Sequence, residues 1–205
     1  VNAPLRIGLT GGIGSGKSAV ASMFEQQAVP VLDLDKKGHE IVSPGSSGLI
    51  KLVEVFGDSF LNSDDSLNRA ALATHCFSDA DETAKLNAIM HPMIWQAEEQ
   101  WLQSQQAPYV VIEASVLLES GGAGRMDAVI AVLANEERRL KRVLARGDRD
   151  EKSFRAIVAR QCSDDLRRSK ATYLIENNGS LQELQEQVNT IHRQIIERIS
   201  PISVE

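Results

Sequence analysis

The sequence predicts a three-layer α/β fold, a five-stranded parallel sheet flanked by helices, carrying a helical substrate-binding insert and a helical lid. Three observations predict it. Gly11 to Ser18 reads G-G-I-G-S-G-K-S, which fits the phosphate-binding pattern G-x-x-x-x-G-K-[ST] between an apolar run (Leu5, Ile7, Leu9) and a helix-forming run from Ala19. Tyr109 to Glu113 and Ala128 to Leu133 are continuous apolar runs, as in parallel strands buried on both faces. Leu49 to Gln106 has helical spacing and no good strand, so a helical block interrupts the sheet-forming sequence.

The first strand runs from about Leu5 to Thr10 into the loop. Its glycines let the backbone come close to an anion, and the following helix points its positive end at the same place. Lys17 supplies a mobile charge for the outer phosphates, and Ser18 offers a hydroxyl oxygen to Mg²⁺. This strand–loop–helix marks the fold as that of P-loop NTPases. A dinucleotide fingerprint is excluded, because Lys17 stands where a third glycine is required.

Pro30 stops the first helix, and Val29 to Leu34 reads as the second strand, closing in Asp33-Leu34-Asp35. Extended geometry would put both carboxylates on one side, at the sheet end where ligands collect. The competing reading is a helix N-cap. Ser43 to Gly48 is the densest cluster of helix breakers and marks a boundary. The expected domains are therefore a nucleotide-binding core, residues 1–43 and 108–205, and an acceptor-binding insert, residues 44–107. Within the insert, Leu49, Leu52, Val53 and Phe56 share a helical face ended by Gly57. Leu67 to Phe77 forms a short helix, and Thr83 to Gln106 a longer one that Pro92 kinks or splits at His91. Arg69 is an anion ligand or a solvated helix charge; His91 is a ligand or a hydrogen-bonded structural residue.

Glu113, at the carboxyl end of the third strand, either supports the Mg²⁺ water shell and substrate or is a solvated loop acid. After the fourth strand a helix begins at Asn135, with Glu136 and Glu137 first and arginines later, an order that suits the helix dipole. Gly147 to Asp150 breaks it, and the charged helical stretch to Lys170 reads as a lid, residues 147–170. Thr172 to Glu176 is the fifth strand, Asn177 follows at its carboxyl end, and Leu181 to Ile199 is an amphipathic helix.

The 205 residues are 42% hydrophobic and 24% charged with net charge −6, so no broad attraction to nucleic acid or anionic membrane is expected. The two cysteines, Cys76 and Cys162, lack metal spacing and read as reduced thiols. No run is long enough to span a bilayer, which makes the cytoplasm the default compartment. A guanine-specifying N-K-x-D is lacking, and a bare ATPase would not need the insert. The layout is that of a small-molecule or nucleotide kinase.

The ordered set of motifs resembles the dephospho-coenzyme A kinase family. It comprises Gly8 to Ser18, Asp33-Leu34-Asp35, Leu67-Asn68-Arg69 with Phe77, Leu86 to Pro92 (L-N-A-I-M-H-P), Tyr109 to Glu119, Gln161, and Ile175 to Gly179. The resemblance implies ATP- and Mg²⁺-dependent phosphorylation of the ribose 3′-hydroxyl of dephospho-coenzyme A, the last step of coenzyme A synthesis. It implies Asp35 as catalytic base beside Lys17, with Gly12, Ile13, Gly14, Ser15, Gly16, Lys17, Ser18, Ala19, Arg146 and Asn177 on ATP. It places Asp33, Asp35, Arg69, His91 and Glu113 on the acceptor side and Mg²⁺ on Ser18. A monomer or weak homo-oligomer is expected. The chain departs from the common family pattern at His39, Glu113 and Ile157, where arginine, aspartate and arginine are usual. Another P-loop kinase of a small alcohol or nucleoside monophosphate is the alternative, and a non-catalytic nucleotide switch is a third reading.

Overall fold

The computed structural model describes residues 3–77, 79–147 and 149–199; Asp148, part of the expected break before the lid, lies outside them. In chain order the elements are β1 (Leu5–Gly11), α1 (Lys17–Glu25), β2 (Val31–Asp33), α2 (Leu34–Ile41), α3 (Ser47–Phe56), α4 (Arg69–Phe77), α5 (Ala80–Gln103), β3 (Tyr109–Glu113), β4 (Ala128–Leu133), α6 (Glu136–Arg146), α7 (Glu151–Val158), α8 (Asp164–Lys170), β5 (Tyr173–Glu176) and α9 (Leu181–Ile199). Two compact units result: residues 1–33 with 105–205, and residues 34–104. These divisions fall earlier than the expected joints at 43/44 and 107/108, because α2 packs with α3 and α5 inside the second unit.

The first unit is built on a parallel sheet of order β2-β3-β1-β4-β5. The chain visits β2 and β3 on one side of β1, then crosses to β4 and β5 on the other. Such a reversal opens a crevice at the carboxyl ends of the strands, and β1 delivers the phosphate loop there. Strand alternation decides which residues meet α1. Ile7, Leu9, Tyr109, Val111, Ile130 and Val132 face one side and form a core with Val20 and Phe24 of α1. Along α9, Leu184, Val188, Ile191 and Ile195 recur at helical spacing and close the same core. β3 and β4 are buried along their whole length, as their continuous apolar runs require. At the β5 edge, the Gln187 carboxamide of α9 accepts from the Glu176 N–H at 2.9 Å and donates to the Glu176 carbonyl at 3.1 Å.

Tyr109 adds a polar contact to this core. Its buried hydroxyl lies 2.5 Å from Nδ1 of His192 on α9. Burial holds the His192 pKa below its ordinary 6.5 and pushes that of Tyr109 up. Below pH 6.5 the unfolded chain gains a proton at His192 that the folded chain still resists, so this residue's contribution to stability is lost as pH falls through the lower native pKa. Thermal unfolding followed from about pH 7.5 to about pH 5.5 is expected to show a falling Tm, and His192→Gln a flatter profile. Equal slopes for both proteins would rule out His192 as a source of the acid sensitivity.

The second unit is helical. Val42, Leu52, Leu72 and Cys76 form its core with partly buried Phe56, Leu86 and Met90 around them. The Ser46 side chain caps α3 by accepting from the Leu49 N–H, and Gly57 ends that helix with φ 87°. Two expectations change here. α5 runs through Pro92 unbroken from Ala80 to Gln103. Proline removes one backbone donor, but α5 packs against α2, α3 and α4, and this packing outweighs the lost bond. The second strand is also shorter than expected. It stops at Asp33, and Asp35 lies in the first turn of α2, where a carboxylate complements the helix dipole. The two acids therefore do not share a strand face.

Candidate active site

The phosphate loop joins β1 to α1. Gly14 (φ 76°) and Gly16 (φ 97°) hold left-handed conformations that side chains resist, which turns the loop back onto the helix start. A Cβ on Gly16 would lie 2.1 Å from Nδ2 of Asn177, so space as well as backbone angle demands glycine there. Lys17 and Ser18 then fall in the first turn of α1, Ser18 as an exposed residue. Glu113 reaches the same turn because it shares the sheet face of Tyr109 and Val111 and pairs in register with Leu9. Its Oε1 accepts from Lys17 Nζ at 2.5 Å and from Ser18 Oγ at 3.1 Å. Asp33 stands in register with Glu113 on the neighbouring strand, at the same carboxyl end of the sheet.

A second set of side chains fastens the loop from outside. Gln161 Oε1 accepts from the Ile13 N–H at 2.9 Å, and Arg139 Nε donates to the Ile13 carbonyl at 2.9 Å. Arg142 donates to the carbonyls of Gly14 (3.3 Å) and Ser15 (3.2 Å) and to the carbonyl and Oδ1 of Asn177. Asn177 in turn donates to the Ser15 carbonyl at 2.8 Å. Burial lowers the pKa of both arginines, yet they stay cationic at neutral pH and add positive potential beside the loop.

Sequence reasoning missed Arg139 and Arg142. The one signal was their three-residue spacing on α6, which sets both on one side of the helix. Arg146, expected near ATP, stands exposed in the last turn of α6. Asn177 is buried, and its carboxamide bonds to the loop backbone and Arg142. Glu113, expected on the acceptor side, makes these contacts with Lys17 and Ser18. Gln161 lies just beyond α7, and the stretch expected as one helical run is two helices, α7 and α8.

In the helical unit, Arg69 opens α4 and donates through Nη2 to the His39 carbonyl of α2 at 2.9 Å. Burial lowers its pKa. His91 on α5 lies against Trp95, with ring centroids 5.6 Å apart. Asp35, His39 and Arg69 thus belong to one compact unit, in which the Arg69–His39 bond ties α4 to α2.

Sequence comparison adds the decisive observation: the profile of the dephospho-CoA kinase family matches residues 5–183. The chain belongs to the dephospho-CoA kinase family. A dephospho-CoA kinase of Corynebacterium efficiens is 38% identical over 200 residues, spanning 95% of this chain and 99% of the relative. A solved structure from Thermus thermophilus is 32% identical with TM-score 0.85, over 94% of this chain and 98% of that one. A dephospho-CoA kinase from Campylobacter jejuni shares the fold at TM-score 0.67 with 20% identity, over 95% of this chain and 98% of that one. The P-loop kinase fold expected from the sequence is thus shared with this family.

The donor set around Ser18 is of a kind that could hold Mg²⁺. Mg²⁺ prefers hard oxygen ligands, and protein sites for it use one or two carboxylates together with substrate phosphates and water. Ser18 Oγ and the buried Glu113 carboxylate, 3.1 Å apart, are oxygens of this kind. Among the described residues no cluster of three or more His, Cys, Asp or Glu side chains could hold a metal by itself.

Proposed function

We propose that the chain catalyses ATP-dependent phosphorylation of the ribose 3′-hydroxyl of dephospho-coenzyme A, giving coenzyme A and ADP. The observation that carries the reading is the Lys17–Glu113–Ser18 cluster at the mouth of the phosphate loop, in a chain of this family. The loop N–H groups and the start of α1 cradle the phosphates of ATP. Lys17 exchanges part of its contact with Glu113 for the β- and γ-phosphate oxygens, where it offsets charge gathering in the transition state. Ser18 and Glu113 would hold Mg²⁺, directly or through water, and bound Mg²⁺ neutralises phosphate charge during transfer. Asp35 takes the proton of the acceptor hydroxyl as that oxygen bonds to phosphorus and the bond to the ADP oxygen breaks. Asp33, Arg69 and His91 orient the acceptor. Gly12 to Ala19, with Arg146 and Asn177, serve the donor nucleotide. Residues 44–107 select the acceptor, and 147–170 act as a lid over the nucleotide.

Phosphoryl transfer asks little covalent chemistry of the protein, so positioning and charge account for most of the acceleration. Cytoplasmic location fits the reduced thiols and a chain whose described helices include none long and apolar enough to cross a membrane. A coupled ADP-release assay over a panel of acceptors tests the assignment. ATP consumption that depends on dephospho-coenzyme A is expected. Turnover confined to a nucleoside monophosphate or another alcohol would replace this acceptor assignment.

A further inference from the structure

The peptide of Ile13 is held from both sides by groups outside the loop. Its N–H is taken by Gln161 and its carbonyl by Arg139. The Arg139 guanidinium is almost wholly buried; it lies 5.9 Å from the Phe154 ring centroid, and a Cβ on Gly12 would fall 2.6 Å from its Nη2. A second buried guanidinium, Arg167, is near enough to oppose its charge. The Asp164 carboxylate stands between them, with Oδ2 3.7 Å from Arg139 Nη1 and Oδ1 2.7 Å from Arg167 Nη1. Glu119 also faces Arg167, its Oε1 3.8 Å from Nη2, so removing the Asp164 charge falls chiefly on Arg139, which loses its carboxylate partner while Arg167 still opposes it. Asp164 follows Gln161 by three residues, so one short segment supplies both a direct hold on Ile13 and the support for the other.

We propose that Asp164 is a positioning residue for the phosphate loop, acting through Arg139 on the Ile13 peptide. The proposal rests on the reading of this loop as a nucleotide site. With Asp164 in place, Arg139 keeps its orientation and its donor stays on the Ile13 carbonyl. Without it, Arg139 and Arg167 repel and the Ile13 peptide loses one of its two outer holds. The nucleotide site is then built partly from the segment joining α7 to α8, and the posture of that segment is read as affinity for phosphate.

Calorimetric binding of Mg·ADP tests this independently of the acceptor. Asp164→Asn and Arg139→Lys are each expected to weaken binding about tenfold, the order of one charge-assisted hydrogen bond, while Asp164→Glu stays within about threefold. In turnover, Asp164→Asn should raise KM for ATP and leave KM for dephospho-coenzyme A unmoved. Thr172→Ala is the control: it removes the hydroxyl that accepts from the Val129 N–H, outside the nucleotide and acceptor residues, and should lower Tm without changing ADP affinity. Wild-type ADP affinity in Asp164→Asn overturns the proposal, and so does an equal loss in Thr172→Ala. If Asp164→Asn does not fold, Arg139→Lys decides by the same criterion. Wild-type protein that binds ADP but ignores dephospho-coenzyme A overturns the acceptor assignment alone and leaves the comparison among variants intact.

Discussion

Asp35→Asn is expected to lower kcat by about 10²- to 10⁴-fold while ATP affinity stays within about twofold, as loss of a general base requires. The substitution is nearly isosteric, so it tests charge and proton acceptance rather than shape. Asp35 sits in the first turn of α2, where its charge favours the helix dipole by about 0.3–1 kcal/mol. Scanning calorimetry of the variant alongside the assay separates lost turnover from lost stability. Asp33→Asn is the informative contrast, because Asp33 ends β2 in register with Glu113 and belongs to the other compact unit. Single-turnover kinetics with saturating ATP would separate the two acids. Near-wild-type turnover in Asp35→Asn would transfer the proton-accepting role elsewhere.

Lys17→Met should have two separable effects. Removing a preorganised charge from the transferring phosphoryl group lowers turnover by about 10²- to 10³-fold or more. Independently, the change strips the counter-ion from Glu113, whose side chain is only 5% exposed. Breaking one half of a buried ion pair costs about 3–5 kcal/mol, an upper bound here since Lys17 is itself 11% exposed. The free protein should thus melt several degrees lower. Adding Glu113→Gln to Lys17→Met removes the stranded charge, so the double variant should regain much of the lost Tm and none of the lost turnover. Scanning calorimetry and the ADP-release assay together check this. Parallel recovery of both would mean that Lys17 acts only as a structural partner of Glu113.

Much of the architecture was legible because few forces decided it. β3 and β4 are continuous apolar runs, and such runs have little choice but a fully buried position in a sheet. The phosphate loop was legible because glycine, lysine and serine at fixed spacing answer a demand that few other structures make. β2 was harder. Asp33-Leu34-Asp35 suits a strand end and a first helical turn equally well, and only the packing of α2 within the helical unit settles where extension stops. Pro92 did not split α5 for the same reason, since one missing backbone donor weighs less than packing against α2, α3 and α4. The outer holds on the loop were hidden. The charges of Arg139 and Arg142 are explained well enough by the dipole of α6, and their shared helix side, the one signal, does not say that their guanidiniums turn inward onto loop carbonyls. Gln161 and Asn177 appeared as motif letters, but the backbone groups they satisfy become visible only once the chain is folded.

The Gln187 carboxamide that engages both backbone groups of Glu176 has a consequence beyond its two hydrogen bonds. An amide side chain pairing with a strand's N–H and C=O imitates the peptide of a sixth strand. The outermost ribbon on that side is therefore terminated chemically at Glu176, much as a monofunctional unit stops a growing polymer. On the opposite margin β2 is three residues long before the chain turns into a helix, too brief to template an incoming strand. At both margins, then, an incoming copy of the chain finds less strand to zip onto than the apolar centre of the sheet would suggest: three residues at β2, and at β5 a strand already engaged at Glu176.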